Sequence, residues 1–384
     1  MSIPNFVSSL LSWYDASMRD LPWRDHPDPY AVLISEFMLQ QTTVPAVSPY
    51  FEKWIQRYPT VEALAEADIE EVLRQWEGLG YYARARNLHA AAGEIVSEYG
   101  SEIPSDPHDL KKLPGVGDYT AAAVASIAFG IRAPALDANN LRVWSRLLVS
   151  SDKKRIARVF ARVLPPERPG DFNQALMDLG SSVCTPKNPD CPACPLGPWC
   201  RAFRTDRVSE YPEKKNRPDT TRIEAAIGII TRHNKVLVQR RPDTGLMAGL
   251  WEFPGGKLSR AQGQGRRAKR SRKVSRLYDG ATERLSENKL LETPEMAVVR
   301  EVREETGLRV QVCEKLGIFN HSYTRFRVKL HVFICTRKDG TLNNPTARWV
   351  TLKELEGLAM PSVNRRIVKR LEERLNAEDV TPLA

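Results

Sequence analysis

Four cysteines within seventeen residues, Cys184, Cys191, Cys194 and Cys200, constrain this 384-residue chain more than any other feature. Their spacing, C-x6-C-x2-C-x5-C, lets one short loop wrap all four thiols round a single inorganic centre. Only one C-x-x-C is present, so the paired knuckles of a zinc ribbon are missing and an iron–sulphur cluster fits the spacing better. A structural zinc or four unrelated thiols are the alternatives. Proline and glycine between the thiols suit a tight ligating loop. Cysteines used this way point to a reducing compartment. Cys313 and Cys335 lie far off in strand-like stretches, where buried thiols are expected.

The chain carries 57 basic and 47 acidic residues, a net charge of +10, which favours a polyanionic partner. No apolar run approaches the roughly 18 residues of a membrane span. The N-terminus lacks the basic start and small-residue ending of an export signal. A cytoplasmic protein is therefore expected, with no membrane partner.

Residues 1–204 read as helix after helix, without strand-like alternation. Asp28-Pro29 is a helix start, and the helix it opens, YAVLISEFMLQQT, is apolar on nearly every side except at Glu36 and the glutamines. Such a helix must be buried, and a carboxylate in its middle is costly unless paired or used in chemistry. Residues 78–92, GLGYYARARNLHAAA, interleave aromatic and basic side chains at a turn. Residues 109–130 read as helix, Pro114-Gly115-Val116-Gly117 hairpin, helix. Exposed backbone N–H groups at such a hairpin offer a seat for a phosphate. Further on, Asp137 opens another helix, either as a plain N-cap or as the second of two carboxylates. A buried acid and a charged carboxylate at a helix mouth together suit glycosidic bond cleavage.

LPWR (21–24), SEFMLQQT (35–42), GLGYYARARNLH (78–89), LPGVG-x-YTA (113–121), FNQALMDLG (172–180) and the cysteine loop together resemble the endonuclease III superfamily, in its adenine DNA glycosylase (MutY) branch. The resemblance implies that Glu36 protonates an extruded adenine at N7 and that Asp137 stabilises the cationic sugar, supported by Tyr119 and Asn139. It implies a [4Fe-4S] cluster on the four cysteines. Gly115, Val116, Gly117, Gln41, Tyr82 and Arg24 would contact DNA, and Trp23 and Gln174 would line the adenine pocket. Bifunctional relatives carry a lysine where this chain has Tyr119, so a monofunctional enzyme is expected. One departure is Asp137-Ala138-Asn139, where the family usually has glycine in the middle; alanine disfavours a positive backbone dihedral there.

Residues 205–222 are polar, charged and proline-containing, as in an interdomain linker. Residues 223–376 change period: AAIGIITRHNKVLVQRRP reads as two strands about a His-Asn turn, and VKLHVFICTR as another. GLWEFPGGK (249–257) and ETPEMAVVREVREETGL (292–308) together resemble a Nudix box. Glu301, Glu304 and Glu305 share a helix face on which that family holds Mg2+ against a pyrophosphate. A basic insert, about 259–290, interrupts the box, as a solvated run or a DNA-backbone contact. Tyr323, Thr324 and Arg325 correspond to the family's lesion-reading loop, with Arg325 in place of a histidine.

The expectation is thus an all-α helix–hairpin–helix glycosylase with an iron–sulphur loop (184–200), followed by an α+β Nudix-like domain. Its partner would be duplex DNA with adenine opposite 8-oxoguanine or guanine. A monomeric, nucleoid-associated protein of bacterial type is expected. Pyrophosphohydrolysis by the second half, or non-catalytic binding of damaged DNA, are the competing functions.

Overall fold

The computed structural model describes residues 3–25, 28–213, 220–259, 292–323 and 326–376. Contacts divide it into two units, Met1–Val72 with Arg84–Asn216, and Leu73–Ala83 with Arg217–Ala384. The basic insert lies outside the described residues. No helix among them is long and apolar enough to cross a membrane.

The first unit is helical throughout. Its core gathers Phe6, Trp144, Phe160 and Phe172, with Phe6–Trp144 and Trp144–Phe160 ring centroids 5.9 and 5.2 Å apart. The helix Pro29–Leu39 starts as read from sequence, with Asp28 accepting from the Ala31 N–H at 3.0 Å and Pro29 in the first turn. Tyr30 through Met38 are all buried, so this helix runs through the middle of the unit. Its C-terminal carbonyls lack intrahelical partners. Arg84 meets them, donating to the carbonyls of Phe37 (3.1 Å), Met38 (2.6 Å) and Gln40 (2.6 Å) and to Thr42 Oγ1 (3.0 Å). Arg84, one of the basic side chains interleaved at the turn of residues 78–92 in the sequence, is 7% exposed and caps a helix.

The hairpin joins a short helix, Pro107–Leu110, to the helix Asp118–Phe129. Gly115 has φ 79°, and a Cβ there would come within 2.7 Å of Asn87 Cβ and 2.9 Å of the Phe37 ring, so only glycine fits. The helices Ala138–Leu148 and Pro169–Ser182 complete the scaffold. Gly170 lets the latter approach so closely that a Cβ would meet the Ser126 carbonyl at 2.5 Å.

The second unit is α+β, with strands β1 (Thr221–Arg232), β2 (Lys235–Arg240), β3 (Trp251–Glu252), β4 (Gly255–Lys257), β5 (Leu308–Tyr323), β6 (Phe326–Gly340) and β7 (Ala347–Val350). The sheet order is β3-β2-β1-β6-β5, with β4 on β1 and β7 on β2. β1 and β6 are parallel, and β5 returns antiparallel along β6. His233 and Asn234, both at positive φ, make the tight turn between β1 and β2 that the sequence suggested. The helix Pro294–Thr306 packs on the sheet through Ala297, Val298 and Val302. It is capped by Thr293 and stopped by Gly307 at φ 79°. Cys335 is buried as expected, whereas Cys313 is exposed, because a register shift between Val312 and Glu314 turns it out of the sheet.

Candidate active site

A cavity of about 840 Å³ opens in the helical unit, and Glu36, Tyr119, Asp137, Asn139, Trp23, Arg24 and Gln174 all line it. Residues more than a hundred positions apart in sequence therefore meet in one place.

Glu36 comes from the buried helix and is 4% exposed. Its Oε2 is buried without a hydrogen-bond partner. Burial pushes its carboxyl up to about 7, with the Tyr119 hydroxyl's hydrogen bond pulling the other way and the charge of Asp137 adding to the rise. Tyr119 stands in the first turn of the helix Asp118–Phe129, and its hydroxyl also lies 3.8 Å from Met177 Sδ. Burial raises its own titration well above the ordinary tyrosine range.

Asp137 caps the helix Ala138–Leu148, accepting from the Asn140 N–H at 2.6 Å. Burial raises its carboxyl, while the Asn140 and Asn139 N–H groups and the charge of Arg142 oppose the rise. Burial raises both carboxyls, but Glu36 keeps an orphaned oxygen, whereas Asp137 has N–H donors, a helix N-terminus and an arginine that oppose the rise. Ala138 opens its helix without a positive φ, so the departure from glycine introduces no backbone strain.

Asn139 accepts from Arg142 Nη2 at 2.9 Å, and the same arginine donates to the Gly180 carbonyl (2.6 Å) and the Cys184 carbonyl (2.8 Å). One turn on, Arg146 donates to Cys184 Sγ at 3.3 Å and to the Thr185 carbonyl at 2.8 Å. Cys184, Cys191, Cys194 and Cys200 line one small cavity of about 20 Å³ beside Arg146. Burial raises the Cys194 thiol to about 12 and raises Cys191 and Cys200 as well. Neighbouring thiols add to the rise at Cys191, Cys194 and Cys200, so thiolates there need a positive centre to be stable. Among the described residues no three acid, cysteine or histidine side chains converge tightly enough to hold a single metal ion.

Arg24 stands in the cavity wall. It donates from Nε to Gln174 Oε1 (2.9 Å) and from Nη1 to Asp178 Oδ2 (3.0 Å), with its guanidinium over the Tyr14 ring. Trp23 packs edge-on against Phe51. Gly115 and Gly117 are exposed at the hairpin, Val116 is buried, and Lys111 pairs with Asp118 at 2.7 Å. Gln41 is exposed and held at φ 58° just past the arginine-capped helix end. Tyr82, expected to probe stacked bases, is only 6% exposed and donates to the Met360 carbonyl; its neighbour Tyr81 is the exposed one, at 45%.

In the second unit Glu301, Glu304 and Glu305 do share one helix, but each is already engaged. Arg300 donates to Glu301 (2.8 Å), Glu304 (3.4 Å) and both oxygens of Glu292. Glu305 accepts from Gln239 Nε2 (2.6 Å) and the Gly255 N–H (3.0 Å), and burial pushes it up to about 8. The Glu301 carboxyl lies where a Cβ on Gly256 would stand, 2.1 Å away. Tyr323 is half-buried and stacked with His321, whereas Thr324 and Arg325 lie outside the described residues.

The sequence did not bring forward Arg19, Asp178, Arg142, Arg146 or Gly180. Gln174 and Asp178 stand four apart on a helix, which was the one available signal that they share a face.

Residues 34–166 match the HhH-GPD superfamily of base excision DNA repair proteins, and residues 225–370 match the NUDIX domain. The adenine DNA glycosylase of Mus musculus is 32% identical, over 96% of this chain and 78% of its own length. That of Arabidopsis thaliana is 36% identical over 84% of this chain, which spans 56% of the plant protein. The solved structure of a thermostable thymine-DNA glycosylase superposes with a TM-score of 0.50 at 31% identity, over 53% of this chain and 97% of its own.

Proposed function

Because this chain belongs to the adenine DNA glycosylases of base excision repair, we propose that its cavity hydrolyses the N-glycosidic bond of an adenine extruded from a mispair with 8-oxoguanine or guanine. The observation that carries this reading is Glu36, a carboxyl that burial keeps protonated near neutral pH, with one oxygen unpartnered in the cavity that Asp137 also lines. Glu36 gives its proton to N7 of the base, and the bond between N9 and C1′ breaks with its electron pair going to the base. Asp137, ionised at its helix mouth, faces the positive charge that develops on the sugar. Water adds to C1′ and releases a proton, leaving an abasic site. Tyr119 offers no amine, so no Schiff base forms and the strand is left intact. Extrusion costs a few kcal/mol of stacking, which a mispair lowers.

Cys184, Cys191, Cys194 and Cys200 would hold a [4Fe-4S] cluster, which supplies fixed charge and rigidity to the loop. The hairpin at Gly115–Gly117 seats a phosphate, and Gln41 reaches the base stack. Tyr323, Thr324 and Arg325 read the oxidised base. For Glu301, Glu304 and Glu305 we favour packing over Mg2+ binding, since Arg300 and the Gly255 N–H already engage them.

Incubation with a duplex holding adenine opposite 8-oxoguanine, in EDTA, tests the reading. Strand cleavage only after hot alkali is expected. Intact strands in both lanes would overturn base removal, and cleavage without alkali would overturn the monofunctional assignment.

A further inference from the structure

Asp178 is 1% exposed on the helix Pro169–Ser182, at the cavity wall. Its Oδ1 accepts from Arg19 Nε at 2.9 Å and from Arg19 Nη2, and its Oδ2 accepts from Arg24 Nη1 at 3.0 Å. Arg24 Nη1 also donates to the Arg19 carbonyl at 2.8 Å, so this guanidinium is fixed in plane and position. The remaining edge of Arg24 meets Gln174 Oε1 at 2.9 Å. A guanidinium can only donate. The amide oxygen of Gln174 must therefore face Arg24, which turns its NH2 group away from Arg24 while the residue lines the cavity.

We propose that Asp178 is a positioning residue for base recognition: through Arg24 it sets the sense of the Gln174 amide, so that the cavity offers an N–H donor to a ring-nitrogen acceptor of the flipped base. This rests on the adenine glycosylase reading. Adenine has unprotonated N1 and N3 acceptors left once Glu36 has engaged N7. Guanine and hypoxanthine carry a proton on N1, so a donor aimed there would meet another donor; N3 is an acceptor in all three bases, so the discrimination lies at N1. Were the Gln174 amide free to rotate, its oxygen would serve the protonated bases as readily, and the discrimination would be lost.

The test is single-turnover excision by the full chain, opposite 8-oxoguanine, of adenine, 1-deazaadenine and 3-deazaadenine. Each analogue replaces one acceptor nitrogen by C–H. The ratio of analogue to adenine rates, taken on one preparation, is independent of the active fraction. For the wild type 1-deazaadenine should show an extra penalty of about tenfold, and a penalty confined to 3-deazaadenine would overturn the discrimination. The 1-deazaadenine penalty should shrink toward nothing in Gln174→Leu and equally in Asp178→Asn. Arg24→Lys supplies a further arm, since an ammonium can still pair with Asp178 but lacks the guanidinium edge that holds the amide. Penalties at wild-type size in Asp178→Asn and Arg24→Lys would reduce Asp178 to a structural role and overturn the inference. A penalty retained by Gln174→Leu would overturn the donor assignment. Failure of the wild type to release adenine at all would instead sink the glycosylase reading beneath it.

Discussion

Asn139 occupies space that only Gly180 leaves open: a Cβ on Gly180 would stand 2.7 Å from the Asn139 Cβ and 3.3 Å from its Cα. The contact lets the helix carrying the cysteine loop press against the first turn of the helix that Asp137 caps. Gly180→Ala must push that turn away, and a displacement of an ångström at the carboxylate proposed to face the sugar can cost about 100-fold. Single-turnover excision should fall by roughly that factor, with a much smaller change in duplex binding. A rate within twofold of wild type would show that the turn yields without moving Asp137.

With Glu36 as the proposed acid, activity depends on pH. Its carboxyl is raised to about 7, so the proton donor is lost as pH rises through that value, and the excision rate should decline on the alkaline side. Glu36→Gln should remove about 100-fold or more of the rate and flatten that limb. Stability falls in the same direction, over a lower pH range. The folded state holds a proton that the unfolded chain releases above its ordinary 4.5, so stability is full below 4.5 and declines as pH rises to about 7. At pH 8 Glu36→Gln should therefore be the more stable protein, by on the order of a few kcal/mol. Thermal melts at pH 5 and pH 8 check it.

Arg84→Ala removes the donor to three carbonyls at the end of the Glu36 helix. Leaving them unsatisfied should cost about 2–4 kcal/mol, visible in a denaturant melt. Arg84→Lys, lacking the forked geometry, should recover only part of it.

Ala138→Gly tests the departure from the family pattern. The alanine already sits at the helix start without positive φ, so restoring glycine should leave the rate within about twofold and lower stability by about 0.5–1 kcal/mol. A large gain in rate would mean that the backbone changes when the base is bound.

Much of the helical unit could be read from sequence because its signals are local. Asp28-Pro29 starts a helix by chemistry confined to three residues, and the PGVG turn needs a glycine that any reader can see. Glu36 stood out because a carboxylate amid apolar neighbours has no bland explanation at low cost. The direction of long side chains is not a local property. Arg24 and Arg84 look like phosphate ligands in a one-dimensional string, yet their partners are a carboxylate 154 positions away and carbonyls more than 40 positions away. Tyr82 and Tyr81 are adjacent, and only the fold decides which is buried. The glutamates after Arg300 have the right spacing, but spacing does not say that Arg300 pairs with Glu301 and Glu304 while Gln239 and the Gly255 N–H hold Glu305.

Asp137 gives the site an economy with a consequence. The same carboxylate ends a helix by taking the Asn140 N–H and faces the place where positive charge would form. A joint that is also an electrode cannot be tuned for one purpose alone. Strengthening the cap draws its electron density toward the helix and away from the sugar, while freeing it for the sugar loosens the helix. Asparagine at 137 keeps the joint and removes the electrode, so the two duties can be weighed separately in a single substitution.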